Sequence, residues 1–204
     1  MKRGFDIILS GLLLVLLAPV LVVIAAIVRI KLGSSVWFRQ DRAGIGMKTF
    51  CLIKFRTMTE EKDTNGELLP ETLRLTPTGI WLRKWSLDEL PQLINVIKGE
   101  MSLVGPRPMP VRYNPFYTTN ELRRFAVRPG ITGLAQTSGR NYLPWGRRFE
   151  LDIQYAETNS LWFDIIILYR TAVQVILRKD VAICSSMVMP DLDVERKMKI
   201  ERSI

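Results

Sequence analysis

Histidine is absent from all 204 residues. That excludes histidine general bases and histidine metal sites. Cysteine is scarce: Cys51 and Cys184 lie far apart and form no Cys-x-x-Cys pattern. A disulfide framework or zinc site is therefore disfavoured, and a body facing the reducing cytosol fits. Each cysteine reads as small apolar filler. Negative charge is in deficit, with 20 Asp+Glu against 29 Lys+Arg and a formal net charge of +9. Such a balance calls for an anionic partner: nucleic acid, anionic lipid or a phosphorylated substrate. Internal repeats and low-complexity blocks are missing too. The length suits one domain with a real core.

Charge is also absent from Ile7 to Val28, a run of 22 residues. That length meets the requirement for a membrane segment. A cleaved signal peptide fits poorly, because its apolar core is usually shorter and Arg29 and Lys31 follow at once. Lys2 and Arg3 precede the run, so positive charge flanks both ends and draws both to the cytoplasmic side. One straight spanning helix cannot satisfy that. Pro19 lies inside the run and kinks a helix. A re-entrant helix bent at Ala18-Pro19 is favoured over a spanning one, with Ser10 the nearest polar group for the freed backbone. Asp6 reads as a partner of Lys2 or Arg3, or as a fraying charge.

Beyond this run the pattern changes. Val36-Trp37-Phe38 and Phe50 to Phe55 read as two short strands joined through Gly44-Ile45-Gly46. Lys54 and Arg56 alternate with Ile53 and Phe55, giving a basic face that is either solvated or in contact with phosphate. Thr59 to Pro77 is a polar loop or lid with a turn at Asn65-Gly66. Thr78 to Trp85 is a short helix, and Asn120 to Val127 another. Arg128-Pro129-Gly130-Ile131-Thr132-Gly133 suggests a backbone loop that approaches an anion, or a structural connection; Gly139-Arg140-Asn141 is similar. Glu150 and Asp152 are either a second acidic cluster or, on balance, a solvated face. Leu161 to Leu177 is apolar, yet Asp164, Thr171, Gln174 and Arg178 share one helical face. It reads as an interfacial helix with Trp162 and Tyr169 at the membrane, or as a core helix. The segment past Ser185 is charged and reads as a mobile tail.

The densest chemistry lies between Arg83 and Pro108. Ser86 and Glu89 form a capping-box pattern ahead of the apolar stripe Leu90, Leu93, Ile94 and Ile97. Pro91 favours a cap nearer Asp88. Capping does not explain Asp88, Arg83 or Arg107. A helix start would keep Asp88 and Glu89 ionised side by side. Two adjacent carboxylates suit Mg²⁺, which one or two carboxylates hold together with substrate phosphates. An ionised Asp among arginines could attack a phosphoryl group, with Arg83 and Arg107 on its charged oxygens. The prolines of Gly105-Pro106-Arg107-Pro108 limit where Arg107 points.

Five motifs in this order resemble the bacterial sugar transferase family, the monotopic polyprenyl-phosphate phosphoglycosyl transferases. They are Lys54-Phe55-Arg56-Thr57-Met58, Ser86 to Leu93, Gly105-Pro106-Arg107-Pro108, Arg128 to Gly133 and Gly139-Arg140-Asn141. The resemblance runs from Lys2 to about Val181 and matches the family's small form. It implies an α+β, mainly helical fold: a re-entrant membrane helix broken at Pro19, a small globular catalytic body with a short β-hairpin, and interfacial amphipathic helices. The corresponding division is 1–33 for the membrane helix, 34–185 for the cytoplasmic catalytic domain and 186–204 for the tail.

The resemblance also implies transfer of a phospho-sugar from a UDP-sugar to undecaprenyl phosphate with release of UMP. It implies a bacterial inner-membrane protein with its body on the cytoplasmic face, and no nucleic acid partner. Asp88 aligns with the nucleophile and Glu89 with its partner in holding Mg²⁺. Arg83 and Arg107 align with arginines near the phosphates. Lys54, Arg56, Arg128, Gly130, Arg140 and Asn141 fall in the remaining motifs as substrate-binding candidates. Ala18 stands where the family often has Ser, and Thr137-Ser138 departs from its Asn after Gln136, leaving sugar preference open. Pathway and oligomeric state, a homo-oligomer included, stay open as well. The rival reading is a tethered module whose basic face binds anionic lipid or nucleic acid without catalysis.

Overall fold

The computed structural model describes residues 1–33, 35–139, 143–177 and 190–201, with backbone alone at 199 and 200. The first element is α1, Lys2–Leu32, an apolar helix of 31 residues. Arg29 and Lys31 in its last turn complement the helix dipole, and Gly33, at φ 91°, ends it. Pro19 sits inside α1 without interrupting it. The expected break is therefore a missing hydrogen bond in a helix that stays continuous. By length and composition α1 could cross a membrane.

Both ends of α1 pack on the rest of the chain. Near its start, Arg3 donates to the carbonyls of Val96 (2.7 Å) and Ile97 (3.0 Å). Near its end, Ile24 and Val28 are buried with Phe55 and Leu82. Between them Leu12, Val15, Leu16, Val20, Val22 and Val23 are exposed. Two sequence expectations change here. Asp6 is neither fraying nor paired with its neighbours; it is buried and accepts from Ser102 Oγ at 2.8 Å and Leu103 N at 3.3 Å. Ser10 is buried, and its Oγ has no hydrogen-bond partner among the described residues, so it rescues no backbone group.

The hairpin is longer than the apolar runs suggested. Strand β1, Trp37–Ala43, pairs antiparallel with β2, Thr49–Phe55, in the register Trp37↔Phe55 to Ala43↔Thr49. A 3₁₀ turn at Ile45–Met47 joins them. Cys51 on β2 is exposed, not filler; Cys184 lies outside the described residues. The polar stretch that follows holds a short helix α2, Glu71–Arg74, and a turn in which Asp63 Oδ1 accepts from Asn65 N and Glu67 N. Helix α3, Pro77–Lys84, starts on Thr76, whose side chain accepts from Gly79 N, with Pro77 in the first turn. Helix α4, Gln92–Lys98, stops at Gly99 (φ 90°).

A second, parallel pair was not legible in the sequence: β3, Ser102–Val104, against β4, Gly130–Thr132. Three-residue strands carry no periodicity to read. Glycine makes the approach possible. A Cβ on Gly130 would lie 2.1 Å from Gly105 N, and one on Gly133 would lie 2.2 Å from Gly105 O. After the short helix α5, Leu134–Thr137, come α6, Trp145–Thr158, and α7, Leu161–Leu177. The main core gathers Leu93, Val96, Met101, Leu103, Tyr155 and Ile167 under Phe5, Leu9 and Leu13 of α1.

Helix α7 turns Asp164, Thr171 and Gln174 inward and leaves Arg170 exposed. Asp164 is buried against Lys2 and Tyr155, Thr171 bonds Thr132 at 2.6 Å, and Gln174 donates to Thr137 O at 2.9 Å. Arg178, assigned to the same face, lies outside the described residues. Trp162, Ile165, Tyr169, Ile176 and Leu177 are exposed. The presumed tail contains α8, Leu192–Glu201, which docks instead of trailing. Leu192 is fully buried beside Trp145 and Phe149, and Arg196 pairs with Glu121 at 2.5 Å.

Candidate active site

Three separate segments converge on the acidic pair. Lys54 arrives near the end of β2, Arg83 in the last turn of α3, and Arg107 just beyond β3. Asp88 and Glu89 lie in a 3₁₀ turn, Leu87–Glu89, that precedes α4. The capping box does not form. Ser86 adopts the left-handed conformation (φ 55°, ψ 23°) and its side chain caps nothing, while α4 begins only after Pro91. A serine held there stores on the order of 1 kcal/mol of strain. The carboxylates therefore sit on a tight turn between two helices, not on a long helix start.

Their surroundings split them. Asp88 is 5% exposed. Burial first, and then the Glu89 charge, push its carboxyl up to about 6, against the pull of Lys54, Arg83 and Arg107. Burial would raise Glu89 too. There the charge and hydrogen bond of Arg107, with Lys54 and Arg42 beyond, prevail and hold it below the usual range. Arg107 Nη2 donates to Glu89 Oε1 at 2.7 Å. Burial draws the Lys54 amine down despite Asp88; its Nζ lies 5.0 Å from the Phe38 ring centroid. The two acids are thus shifted in opposite directions: Glu89 is held ionised and bonded, and Asp88 ionises only as pH passes about 6.

The other candidates are placed differently. Arg56 pairs with Glu60 at 2.8 Å. Arg128 Nε donates to Gly99 O at 3.0 Å. Gly130 donates its N–H to Pro106 O at 2.9 Å, and the close approach its lack of a side chain permits is to Gly105, not to an anion. Arg140 and Asn141 lie outside the described residues. Glu150 is exposed and pairs with Arg147 at 2.9 Å, while Asp152 is a buried partner of Arg124, so neither belongs to an acidic cluster.

Several supporting residues escaped the sequence reading. Thr57 is 3% exposed and its Oγ1 accepts from Arg83 Nε at 3.1 Å, aiming Arg83 from the end of the hairpin. A Cβ on Gly79 would lie 1.9 Å from Thr57 O, so only glycine lets α3 come this near. Asn95 of α4 bonds one edge of β2 twice, accepting from Ile53 N at 3.2 Å and donating to Cys51 O at 2.8 Å. Lys54 and the acidic turn are thereby fixed to one frame. Arg42 of β1 donates to Pro108 O at 3.1 Å, and burial with the neighbouring Arg107 lowers it to about 10. Thr57 stood inside a quoted motif; Asn95 and Arg42 carried no local signal.

Among the described residues no three or more carboxylates, cysteines or histidines gather as a metal cluster. Asp88 and Glu89 supply hard oxygen donors only. That is too few for a protein cage and enough for Mg²⁺ when substrate phosphates and water complete its shell. The donor set fits the ion.

A protein-family model described as bacterial sugar transferase matches residues 1–178. The chain belongs to the bacterial sugar transferase family. The sugar transferase EpsL of Bacillus subtilis (strain 168) is 48% identical over 181 residues, 89% of this chain and 90% of EpsL. The exopolysaccharide production protein ExoY of Rhizobium meliloti (strain 1021) is 37% identical over 198 residues, 87% of this chain and 86% of ExoY. A UDP-glucose:undecaprenyl-phosphate glucose-1-phosphate transferase of Klebsiella pneumoniae is 40% identical over 188 residues. The match covers 87% of this chain but 40% of that longer protein. As a sugar transferase this chain is a transferase enzyme, with an α+β, mainly helical fold.

Proposed function

We propose that this sugar transferase moves a phospho-sugar from a UDP-sugar to undecaprenyl phosphate and releases UMP. The observation that carries the reading is a buried carboxylate, Asp88, on a tight turn with Lys54, Arg83 and Arg107 near enough to bias its charge. A relative named for the same transfer from UDP-glucose supports the substrate classes.

Arg83 and Arg107 hold the charged oxygens of the donor diphosphate. Glu89, bonded to Arg107, keeps that guanidinium in place. Asp88, once ionised, attacks the phosphorus next to the sugar through a carboxylate oxygen. An Asp88 O–P bond forms, and the bond from that phosphorus to the bridging oxygen breaks. UMP leaves with the electron pair. A phosphate oxygen of the polyprenyl acceptor then attacks the same phosphorus and restores the free carboxylate. Asp88 and Glu89 would hold Mg²⁺, which when bound offsets phosphate charge.

The membrane reading rests on α1 and α7. A spanning helix beside a body on one side would leave one of its ends far from that body. Both ends of α1 touch it. With Lys2, Arg3, Arg29 and Lys31 at those ends, a re-entrant helix with the body on the cytoplasmic face of the bacterial inner membrane fits best. The exposed Trp162 and Tyr169 then lie in the interface.

The test is UMP release across a panel of UDP-sugars with undecaprenyl phosphate and Mg²⁺, beginning with UDP-glucose. Donor without acceptor should give a covalent phospho-sugar adduct on Asp88 by mass spectrometry. Donor binding without any adduct would end the covalent scheme.

A further inference from the structure

The loop Gly105–Pro108 presents Arg107, yet Pro106 and Pro108 have no N–H with which to anchor it. Apart from Gly105 N, which donates to Thr132 O at 2.9 Å, its anchors are its carbonyls. Four in succession are each taken by a donor from elsewhere in the chain. Pro106 O accepts from Gly130 N at 2.9 Å, and Met109 O from Ala43 N at 3.1 Å. Arg107 O accepts from Arg124 Nη2 at 2.6 Å, and Pro108 O from Arg42 Nη1 at 3.1 Å.

Arg124 is the best fixed of these donors. It is 2% exposed, and its Nε and Nη2 donate to Asp152 Oδ2 at 3.0 and 2.8 Å. Its guanidinium lies 5.1 Å from the Phe125 ring centroid and 5.5 Å from that of Phe149. Apolar side chains of similar volume often replace a buried ion pair with no loss of stability. Filling this space therefore does not account for an arginine. Its bond to the Arg107 carbonyl does.

We infer that Arg124, held by Asp152, is a positioning residue for phosphoryl transfer: it fixes the Arg107 backbone so that the Arg107 guanidinium meets both Glu89 and the substrate phosphate. The inference rests on the phosphate-binding role proposed for Arg107. The pair Arg124–Asp152 touches no substrate. It acts through one carbonyl, 18 residues along the chain from the glutamate that Arg107 contacts.

The test is the double variant Arg124→Met/Asp152→Leu, which removes the clamp together with both members of its buried ion pair and leaves Arg148 without the Asp152 charge. It should fold, with a thermal midpoint near that of the wild type, and lose about ten- to hundredfold in kcat/KM for UMP release, the scale of a small misplacement. In an Arg107→Ala background the same two substitutions should cost no further activity, because the group they position is gone. An equal loss in both backgrounds, or full activity of the double variant, overturns the inference. A crystal structure of the double variant decides independently of turnover: the Arg107–Glu89 contact should be lost, and its persistence overturns the clamp. Absence of UMP release by the wild type would instead count against the proposed reaction.

Discussion

Asp88 and Glu89 are adjacent in sequence and opposite in electrostatic state. Burial and the neighbouring charge raise Asp88 to about 6 from 3.8, while Arg107 keeps Glu89 low. If Asp88 is the nucleophile, it works only ionised. At fixed Mg²⁺, UMP release should therefore rise with pH through about 6 in a kcat/KM profile. Glu89→Gln removes a charge that raises Asp88 and should move the midpoint to lower pH; an upward shift would contradict this origin. Asp88→Asn should abolish UMP release with the circular dichroism spectrum unchanged. The same residue should appear in stability. A folded-state value above the unfolded one makes the ionised carboxyl a burden that is absent below about pH 4 and complete above about pH 6. Asp88→Asn, a mimic of the neutral acid, should thus gain on the order of 2–3 kcal/mol over wild type at pH 7.5, and the gain should vanish near pH 4 in urea melts.

At the scale of elements, α1 and α7 are joined by a polar contact where two apolar helices would be expected to meet through hydrocarbon. Lys2 Nζ reaches Asp164, Tyr155 Oη (3.1 Å) and Val104 O (3.2 Å). Tyr155 in turn donates to Asp164 Oδ1 at 2.6 Å. Lys2→Met would leave a buried carboxylate short of its cation. Because Lys2 is partly exposed, the expected loss is roughly 2–3 kcal/mol, at or below the usual range for breaking a buried pair, read from chemical denaturation. With Asp164, Thr171 and Gln174 turned inward, α7 leaves Trp162 exposed, and on the proposed membrane reading that side would face the bilayer. Nitroxide-labelled lipid should quench tryptophan emission of the wild type more than that of Trp162→Phe. Equal quenching would place α7 away from lipid.

For the molecule as a whole, the arrangement of α1 is the decisive feature. Single cysteines at Gly4 and at Lys31, in a chain with Cys51 and Cys184 replaced, should both be labelled from the cytoplasmic side of oriented vesicles. Labelling from opposite sides would restore the spanning helix. On the proposed reading, a body clasped by both ends of a membrane anchor would bring a strongly basic protein to an acceptor whose phosphate lies at the membrane surface. The basic residues then serve both an anionic lipid surface and a phosphorylated substrate.

Much of this was readable from the chain alone, where the signal was local. The apolar run, the Pro19 position, the Gly99 stop, the hairpin turn and the Asp88-Glu89 pair with Arg83 are all near-neighbour patterns, and periodicity or turn chemistry exposes them. Contacts across long separations were not readable: β3 with β4, Asn95 with β2, Arg124 with both Asp152 and the Arg107 carbonyl, Lys2 with Asp164. Charge type names a residue as polar without saying whether a partner waits for it in the interior. Asp6 and Asp152 therefore passed as surface or interfacial groups until packing buried them, while Asp164 stayed open between an interfacial and a core helix. Local patterning singled out the residues proposed for the chemistry; only burial and distant hydrogen bonds, which depend on the folded chain, set their charge states and aimed them.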